Sequence, residues 1–520
     1  SVAMTMTTAM GRSRVRTRAS FTERDLVQAT GGHVVISSRD PSVRRSVTTD
    51  SRLVQSGDWF LPIKGGRNFV SDAIERGCEG IILEAGDHKE RERERIEEQS
   101  NSVALLVTDG QTEGVKGLQN LARFVRTKFK GNVVAITGSC GKTTTRSMIS
   151  HLLRGLSKPG AVHETEGNKN NGIGLPQTML KLDDSNEYCI LELGMSGFGE
   201  ILELQSICLP SVRVVTNVGL AHLEGVGGTI DGVARAKGEL VSSARVGDTC
   251  VLNLDDDHVA AMAAMAPKGV KLVTFGRTEE CDVRILSSAP GGQDGMKVIV
   301  KFEIRGIGVL EADIYQPGYK HVAENAAAAI ATLVALNVPF DCSLLRRGLS
   351  TFKLQEERRG SAREYFWKGK AITVIDMSYN SNPTSMTAAF SMLVGLESGV
   401  RKHLALGDML ELGNASEEQH LLVLRQCVKL LEERKIHSVG LVGECFHEAI
   451  LRCREETRGG LHYRLKRVDH SIQSALKPET LAESMASLDA YEEGDVVLVM
   501  GSRSVMMENF IEEIGFIGGL

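Results

Sequence analysis

The stretch Val133-Val-Ala-Ile-Thr-Gly-Ser-Cys-Gly-Lys-Thr-Thr-Thr145 leaves the chain few architectures to choose from. Val133 to Thr137 is a short apolar run, the length of one buried parallel strand. Gly138 and Gly141 bracket a tight turn, and beyond Lys142 the residues Met148, Ile149, Leu152, Leu153 and Leu156 recur at helical spacing. A strand that turns through glycine straight into a helix aims free backbone N–H groups and the positive end of the helix dipole at one spot, which suits an anion. Gly138, Ser139, Cys140, Gly141, Lys142, Thr143 and Thr144 are therefore expected to cradle the phosphates of a nucleotide. Lys142 would reach the outer phosphates and the Thr143 hydroxyl a magnesium ion. Only Ser139 and Cys140 stand between the glycines, a shorter turn than the common G-x-x-x-x-G-K-[ST] loop. A Gly-Lys-Thr triplet alone is more often a surface turn; the strand before it and the helix behind it carry the reading. Cys140 reads as a small spacer in that turn, not as a nucleophile.

A chain of 520 residues exceeds what one core serves, so several domains are expected. With 61 basic against 66 acidic residues the net charge is −5, which gives no reason to expect nucleic acid as a partner. No apolar run reaches the length of a membrane span. The 10 cysteines form no C-x-x-C pair, which argues for reduced thiols and against a disulfide framework or a zinc site. Residues 1–20 carry Arg12, Arg14, Arg16 and Arg18 and no acid, the composition of an organelle transit segment or a disordered tail.

Residues 21–130 read as a small α/β domain, with strand-like Val34 to Ile36, Trp59 to Ile63 and Ile81 to Leu83. Lys89 to Glu98 is a charge run, expected on a solvated surface. Residues 131–352 continue the βαβ alternation of a parallel sheet. Tyr188 to Leu193 is a strand that brings Glu192 to its carboxyl end, and Val212 to Thr216 is another, followed by His222. Ligands of open parallel sheets sit beyond the carboxyl ends of strands. A lone strand-end Glu is usually solvated, but two candidate ligands beside a Gly-Lys-Thr turn point to a metal. Magnesium prefers oxygen, so His222 is the less usual contributor. Lys237, on a helix, is by itself an ordinary surface charge. Residues 353–520 form a second α/β unit with strands near 372–375, 404–406, 439–442 and 496–499. Its strand ends supply a second row of polar loops, and a ligand between the two rows is expected.

Taken in order, several motifs resemble the Mur ligase family, and within it the MurF type. They are Thr137-Gly-Ser-Cys-Gly-Lys-Thr-Thr, Gly167-Asn-Lys-Asn-Asn-Gly, Glu192-Leu-Gly-Met, Thr216-Asn-Val-Gly-Leu-Ala-His, Ala236-Lys-Gly-Glu239, Ser378-Tyr-Asn-Ser-Asn-Pro383, Gly407-Asp-Met-Leu-Glu-Leu-Gly413 and Gly501-Ser-Arg503. The resemblance runs from about residue 46 to 510. It implies three α/β domains: an N-terminal domain for a UDP-linked substrate, a central ATP-binding domain on a parallel sheet, and a C-terminal Rossmann-like domain for the incoming amine. It implies ATP-dependent addition of D-alanyl-D-alanine to a UDP-N-acetylmuramoyl tripeptide through an acyl phosphate, by a monomer. Lys142, Glu192, His222 and Lys237 become the catalytic set, with Thr143, Glu192 and His222 on one or two magnesium ions and Lys237 open to carbamylation. Asn325, Arg358 and Asp376 fall at nucleotide positions. Thr48, Asp50 and Arg52 match the loop at the UDP end, and Asn168, Asn170 and Asn171 the peptide side. Tyr379, Asn380, Asn382 and Arg503 lie toward the dipeptide or ADP. With such a family, the arginine-rich leader points to a plastid.

The chain departs from the family pattern in places. Phe69 follows Asn68 directly where an Asp-Gly-His-type triplet is usual. Val322, Met377 and Met500 replace an amide, a carboxylate and a lysine. These changes keep two other readings in view: a ligase of the same superfamily with a different carboxylate substrate, and a nucleotide-binding relative that acts as a scaffold.

Overall fold

A computed structural model describes residues 18–84, 103–108, 114–291, 297–316, 319–354, 361–378, 381–396, 399–455, 460–487 and 490–517. The charge run 89–98 and the first 17 residues lie outside them. The described residues form three sheets, in two compact units. None of their helices is long and apolar enough to cross a membrane.

One unit comprises the chain up to Gly131 together with Gly172–Glu187. Its strands are β1 (Ser20–Phe21), β2 (His33–Ile36), β3 (Arg45–Thr48), β4 (Trp59–Phe60), β5 (Gly80–Glu84) and β6 (Ala104–Thr108), in the order β1-β3-β4-β5-β6-β2. β3 to β6 run parallel, and both edges are antiparallel. The strand expected over Trp59 to Ile63 stops at Phe60, because Pro62 has no N–H to continue a ladder. The segment Gly172–Glu187 sits in the middle of the second unit's sequence yet belongs here. Its helix Gly174–Met179 buries Leu175, Pro176 and Met179, and Ala19 N–H donates to the Leu180 carbonyl at 3.1 Å.

The other unit holds two sheets. The first contains β7 (Asn132–Thr137), β8 (Val162–Glu164), β9 (Tyr188–Glu192), β10 (Val212–Val215), β11 (Thr249–Asn253), β12 (Lys271–Gly276), β13 (Val283–Gly291), β14 (Lys297–Ile304) and β15 (Gly308–Tyr315). Their order is β15-β14-β13-β12-β11-β10-β7-β9-β8, parallel from β8 to β13 and closed by an antiparallel meander. The strand β7 sits centrally between β10 and β9, as its unbroken apolar run requires. Its core is built against two helices, Lys142–Leu156 and Tyr319–Ala335. Ala326 to Ala329 are all fully buried, and their small side chains let the second helix approach closely.

The last sheet contains β16 (Ser361–Trp367), β17 (Lys370–Met377), β18 (Lys402–Gly407), β19 (Ser438–Val442), β20 (Ile472–Ala475) and β21 (Val496–Met500), ordered β16-β17-β21-β18-β19-β20. All neighbours are parallel except the β16–β17 hairpin. Its strand order reverses beside β21, so the loops after β17, β18 and β21 gather at one edge.

Candidate active site

The turn between β7 and the helix Lys142–Leu156 is held by its neighbour strand, not by itself. Gly138 has φ 153, and a Cβ there would lie 1.9 Å from Thr216 Oγ1. Gly141 has φ 80, and its Cβ would meet Asn325 Oδ1 at 2.3 Å. No other residue type fits either position, which is the mark of a backbone shaped to approach a ligand. Asn217, just past β10, grips the turn. Its Oδ1 accepts from Cys140 N–H at 2.8 Å, its Nδ2 donates to the Cys140 carbonyl at 3.1 Å, and its own carbonyl accepts from Ser139 N–H. Ser139 and Gly219 exchange a further pair of bonds. Lys142 Nζ folds back to donate to the Gly138 carbonyl at 2.6 Å, across the mouth of the turn. Thr145 Oγ1 donates to Asn325 Oδ1 at 3.2 Å, which draws Asn325 to the same place.

Beside the turn, β9 delivers Glu192. Thr143 Oγ1 donates to Glu192 Oε2 at 3.1 Å, and both side chains are buried. Two buried oxygen donors of this kind, one of them anionic, suit a divalent cation of magnesium type. The helix N-terminus behind the glycine turn suits phosphate. Lys237 comes from the helix Ile230–Ser242, is 2% exposed, and is not the surface charge that its sequence context suggests. Burial, and then the nearby charge of Lys142, hold its amine well below the ordinary lysine value. Burial likewise raises the Cys140 thiol, which fits a spacer and not a nucleophile.

His222 follows β10 with φ 57, and its Nδ1 lies 2.5 Å from Oε2 of Glu411, itself at φ 63. Glu411 comes from the loop after β18, so the second and third sheets meet over His222. That loop is fastened by Asp408, whose carboxylate accepts from Cys445 and Phe446 N–H at 2.9 and 3.0 Å, and by His420 Nε2, which accepts from Met409 N–H at 3.0 Å. Asp408, His420 and Cys445 cluster closely enough for a metal, but the Met409 N–H already takes the His420 Nε2 lone pair that such an ion needs.

A cavity of about 570 Å³ opens from the turn, lined by Cys140, Asn217 and Asn325 on one side and by Met377, Thr384 and Met392 on the other. Its size and its mixed polar and apolar wall match a small-molecule site. Asn382 caps the helix Pro383–Val394 and places its amide 3.7 Å from Cys140 Sγ. Val322 lines the cavity while packing into the core, so an apolar wall stands where the family pattern has an amide.

Asp376 turns onto its own loop, accepting from Ser378 N–H and Oγ at 3.0 and 2.6 Å, and Met377 reaches the cavity instead. Arg503 donates to Glu508 at 2.6 Å. Asn170 lies beside Gly194, whose N–H donates to the Asn170 carbonyl at 2.9 Å; Asn168 and Asn171 are exposed on the same segment. In the other unit, Asp50 caps a short 3-10 turn and pairs with Arg52 at 2.8 Å, with Thr48 two residues before it. Arg358, Tyr379 and Asn380 lie outside the described residues. Sequence reasoning misses Arg146, whose Nη1 lies 3.0 Å from Glu192 Oε1, and gives Asn217 and Glu411 no role. Asn217 alone carries a local signal, as the polar residue at a strand end beside the turn.

The Mur ligase middle domain pattern matches residues 136–333, and the Mur ligase, glutamate ligase domain pattern residues 364–503. The chain is 31% identical over 382 residues to the UDP-N-acetylmuramoyl-tripeptide–D-alanyl-D-alanine ligase of Synechocystis sp., spanning 72% of this chain and 75% of that relative. The crystal structure of MurF from Acinetobacter baumannii aligns over 96% of this chain and 99% of its own, with TM-score 0.79 and 26% identity. The MurF ligase of Thermotoga maritima, solved in complex with ADP, covers 91% of this chain and 97% of its own, with TM-score 0.71 and 25% identity. Both the motif order and the three-sheet architecture agree with these matches, and the chain belongs to the Mur ligase family.

Proposed function

We propose that this chain is an ATP-dependent ligase of the MurF type, which joins D-alanyl-D-alanine to the terminal carboxylate of a UDP-N-acetylmuramoyl tripeptide and so completes a peptidoglycan precursor. The observation that carries the reading is the meeting of Thr143 and Glu192, 3.1 Å apart, beside Lys142 at the mouth of the glycine turn.

In the first step a substrate carboxylate oxygen attacks the γ-phosphorus of ATP, and ADP leaves. The acyl phosphate that forms is then attacked at carbon by the amine of the dipeptide. The amine loses a proton, and phosphate departs with the former carboxylate oxygen. Two anions must meet in the first step, so positioned cations and excluded water matter most. Lys142, now on the Gly138 carbonyl, supplies a mobile positive charge at the outer phosphates. Asn217 takes up the Ser139 and Cys140 N–H groups and so fixes the shape of the turn, and the N–H groups at the start of the helix Lys142–Leu156 would supply fixed donors that need no reorganisation. Thr143, Glu192 and His222 would hold magnesium, which would neutralise phosphate charge. Burial and the Lys142 charge shift the Lys237 amine toward its neutral form, the form that would add carbon dioxide to give a carbamate, and the carbamate charge would suit the Lys142 ammonium nearby.

In this reading the base and ribose occupy the cavity lined by Asn325 and Met377, and Asn382 and Arg503 serve the third sheet's side. Thr48, Asp50 and Arg52 take the UDP end, and the segment with Asn168, Asn170 and Asn171 takes the peptide. The protein acts as a monomer. Plastid delivery belongs to the same proposal on the composition of residues 1–20 alone, and a fluorescent fusion of that segment tests it.

The ligase itself is tested by mass spectrometry of a mixture of protein, ATP, magnesium, UDP-N-acetylmuramoyl tripeptide and D-alanyl-D-alanine. The expected product is the pentapeptide nucleotide, absent with Lys142→Ala. No product, or turnover only with an unrelated carboxylate, would overturn the reading.

A further inference from the structure

The guanidinium of Arg146 is held where water does not reach it, with a side chain 4% exposed. Arg146 lies three residues after Thr143 on the helix Lys142–Leu156, so both side chains leave the same helix face. Its Nη1 is 3.0 Å from Glu192 Oε1, and its Nε is 3.2 Å from Glu164 Oε2 at the end of β8. The same Nη1 donates to the carbonyls of Thr165 and Gly167. Thr143 takes the other oxygen of Glu192. One turn of one helix thus grips both oxygens of the strand-end carboxylate.

The grip extends further along the chain. Thr165 Oγ1 accepts from the Glu192 N–H at 3.0 Å. From Thr165 the backbone runs on through Gly167 to Asn170, whose carbonyl accepts from Gly194 N–H, two residues past Glu192. The carboxylate and the segment 165–171 therefore share one buried cation as a common anchor.

We propose that Arg146 is a positioning residue: it holds Glu192 so that Oε2 faces Thr143 and a divalent cation, and it couples that carboxylate to the segment 165–171. This rests on the ligase reading above, with that segment on the substrate peptide. A lysine would keep the charge but not the fork, and could not serve two carboxylates and two carbonyls at once. A merely structural ion pair would change folding stability and leave metal dependence alone.

The test is calorimetric binding of ADP, with and without magnesium, to wild type, Arg146→Gln and Arg146→Lys, each with a thermal midpoint to confirm folding. Wild type gains affinity for ADP when magnesium is added. In Arg146→Gln that gain falls about ten- to hundredfold, while metal-free ADP affinity stays within about twofold, and Arg146→Lys falls between. In turnover, the half-saturating magnesium concentration and the KM for the UDP-tripeptide both rise. An unchanged magnesium gain in both variants, whatever their midpoints, would overturn the proposal. Should Arg146→Gln fail to fold, an unchanged gain in Arg146→Lys overturns it alone. A wild type with no magnesium gain would instead remove the ligase site on which the proposal stands, a result read from the wild-type protein before any variant.

Discussion

His222 Nδ1 lies 2.5 Å from Glu411 Oε2, and both residues hold left-handed backbone conformations, φ 57 and 63. Non-glycine residues take that conformation at a cost of about 1–3 kcal/mol each, and they persist where the surroundings over-determine them. Here the surroundings are two loops in close approach: a Cβ on Gly413 would lie 3.3 Å from the Glu224 backbone, and one on Gly219 would lie 2.6 Å from Thr384 Oγ1. His222 beside it also holds the Glu411 carboxyl below the ordinary glutamate value. The pair fixes the His222 ring against the third sheet. Glu411→Gln is expected to lower kcat about tenfold, as loss of a ligand-orienting partner does. Glu411 is well exposed, so the thermal midpoint should barely move. A fall in midpoint with unchanged kcat would assign the pair to stability alone.

Gly141 tests the shape of the phosphate turn. Alanine there combines φ 80 with a Cβ 2.3 Å from Asn325 Oδ1, so the turn must open. Gly141→Ala should cost about 1–3 kcal/mol in chemical denaturation and reduce ADP binding more than it reduces stability. ADP binding equal to wild type would show that the turn does not carry the nucleotide.

The third sheet predicts a pH dependence of folding. His403 is fully buried between Ser438 Oγ and Asp495 Oδ2, at 2.8 and 2.9 Å, and burial keeps it below its ordinary value of 6.5. Burial acts in the same direction on His420 and His437. The unfolded chain binds these protons as pH falls below 6.5, whereas the folded chain does not until its lower value is reached. Stability from this group is thus complete above 6.5 and declines as pH falls toward the folded value. Thermal midpoints taken across that range should fall on acidification, and less steeply in His403→Gln. Equal slopes would contradict the assignment.

Val322 reports on the cavity wall. Val322→Asn buries an amide in an apolar core, at an expected cost of about 1–3 kcal/mol without ligand. If the cavity takes the base of a nucleotide, saturating ADP should recover more stability in the variant than in wild type. Equal ligand gains in the two proteins would place the base elsewhere.

The features that are legible in the sequence are the local ones. The strand, turn and helix from Asn132 to Leu156 are contiguous, and their glycine and apolar spacing carries the whole geometry. Glu192 and His222 are legible because a parallel sheet sends all its carboxyl ends to one edge. What sequence order hides is who answers whom across the fold. Arg146 looks like any polar residue on a helix until β8 and β9 bring Glu164 and Glu192 to it. Lys237 looks solvated because helical spacing does not say what lies opposite. Asp376 looks like a ligand-facing strand end, yet an Asx turn onto Ser378 satisfies it locally. The segment Gly172–Glu187 alternates like the rest of the middle section, and only packing assigns it to the first sheet's unit.

Activation of a substrate carboxylate by phosphoryl transfer at Lys142, Thr143 and Glu192 is the step proposed above, and it leaves a carboxylate oxygen on the released phosphate. The most direct measurement is isotope transfer. UDP-N-acetylmuramoyl tripeptide labelled with oxygen-18 in its terminal carboxylate is turned over with ATP, magnesium and D-alanyl-D-alanine, and the phosphate released is weighed by mass spectrometry. Each phosphate is predicted to carry a single labelled oxygen, with no release from Lys142→Ala. Pentapeptide product with unlabelled phosphate would contradict the acyl phosphate, and unlabelled phosphate without product would contradict the ligase.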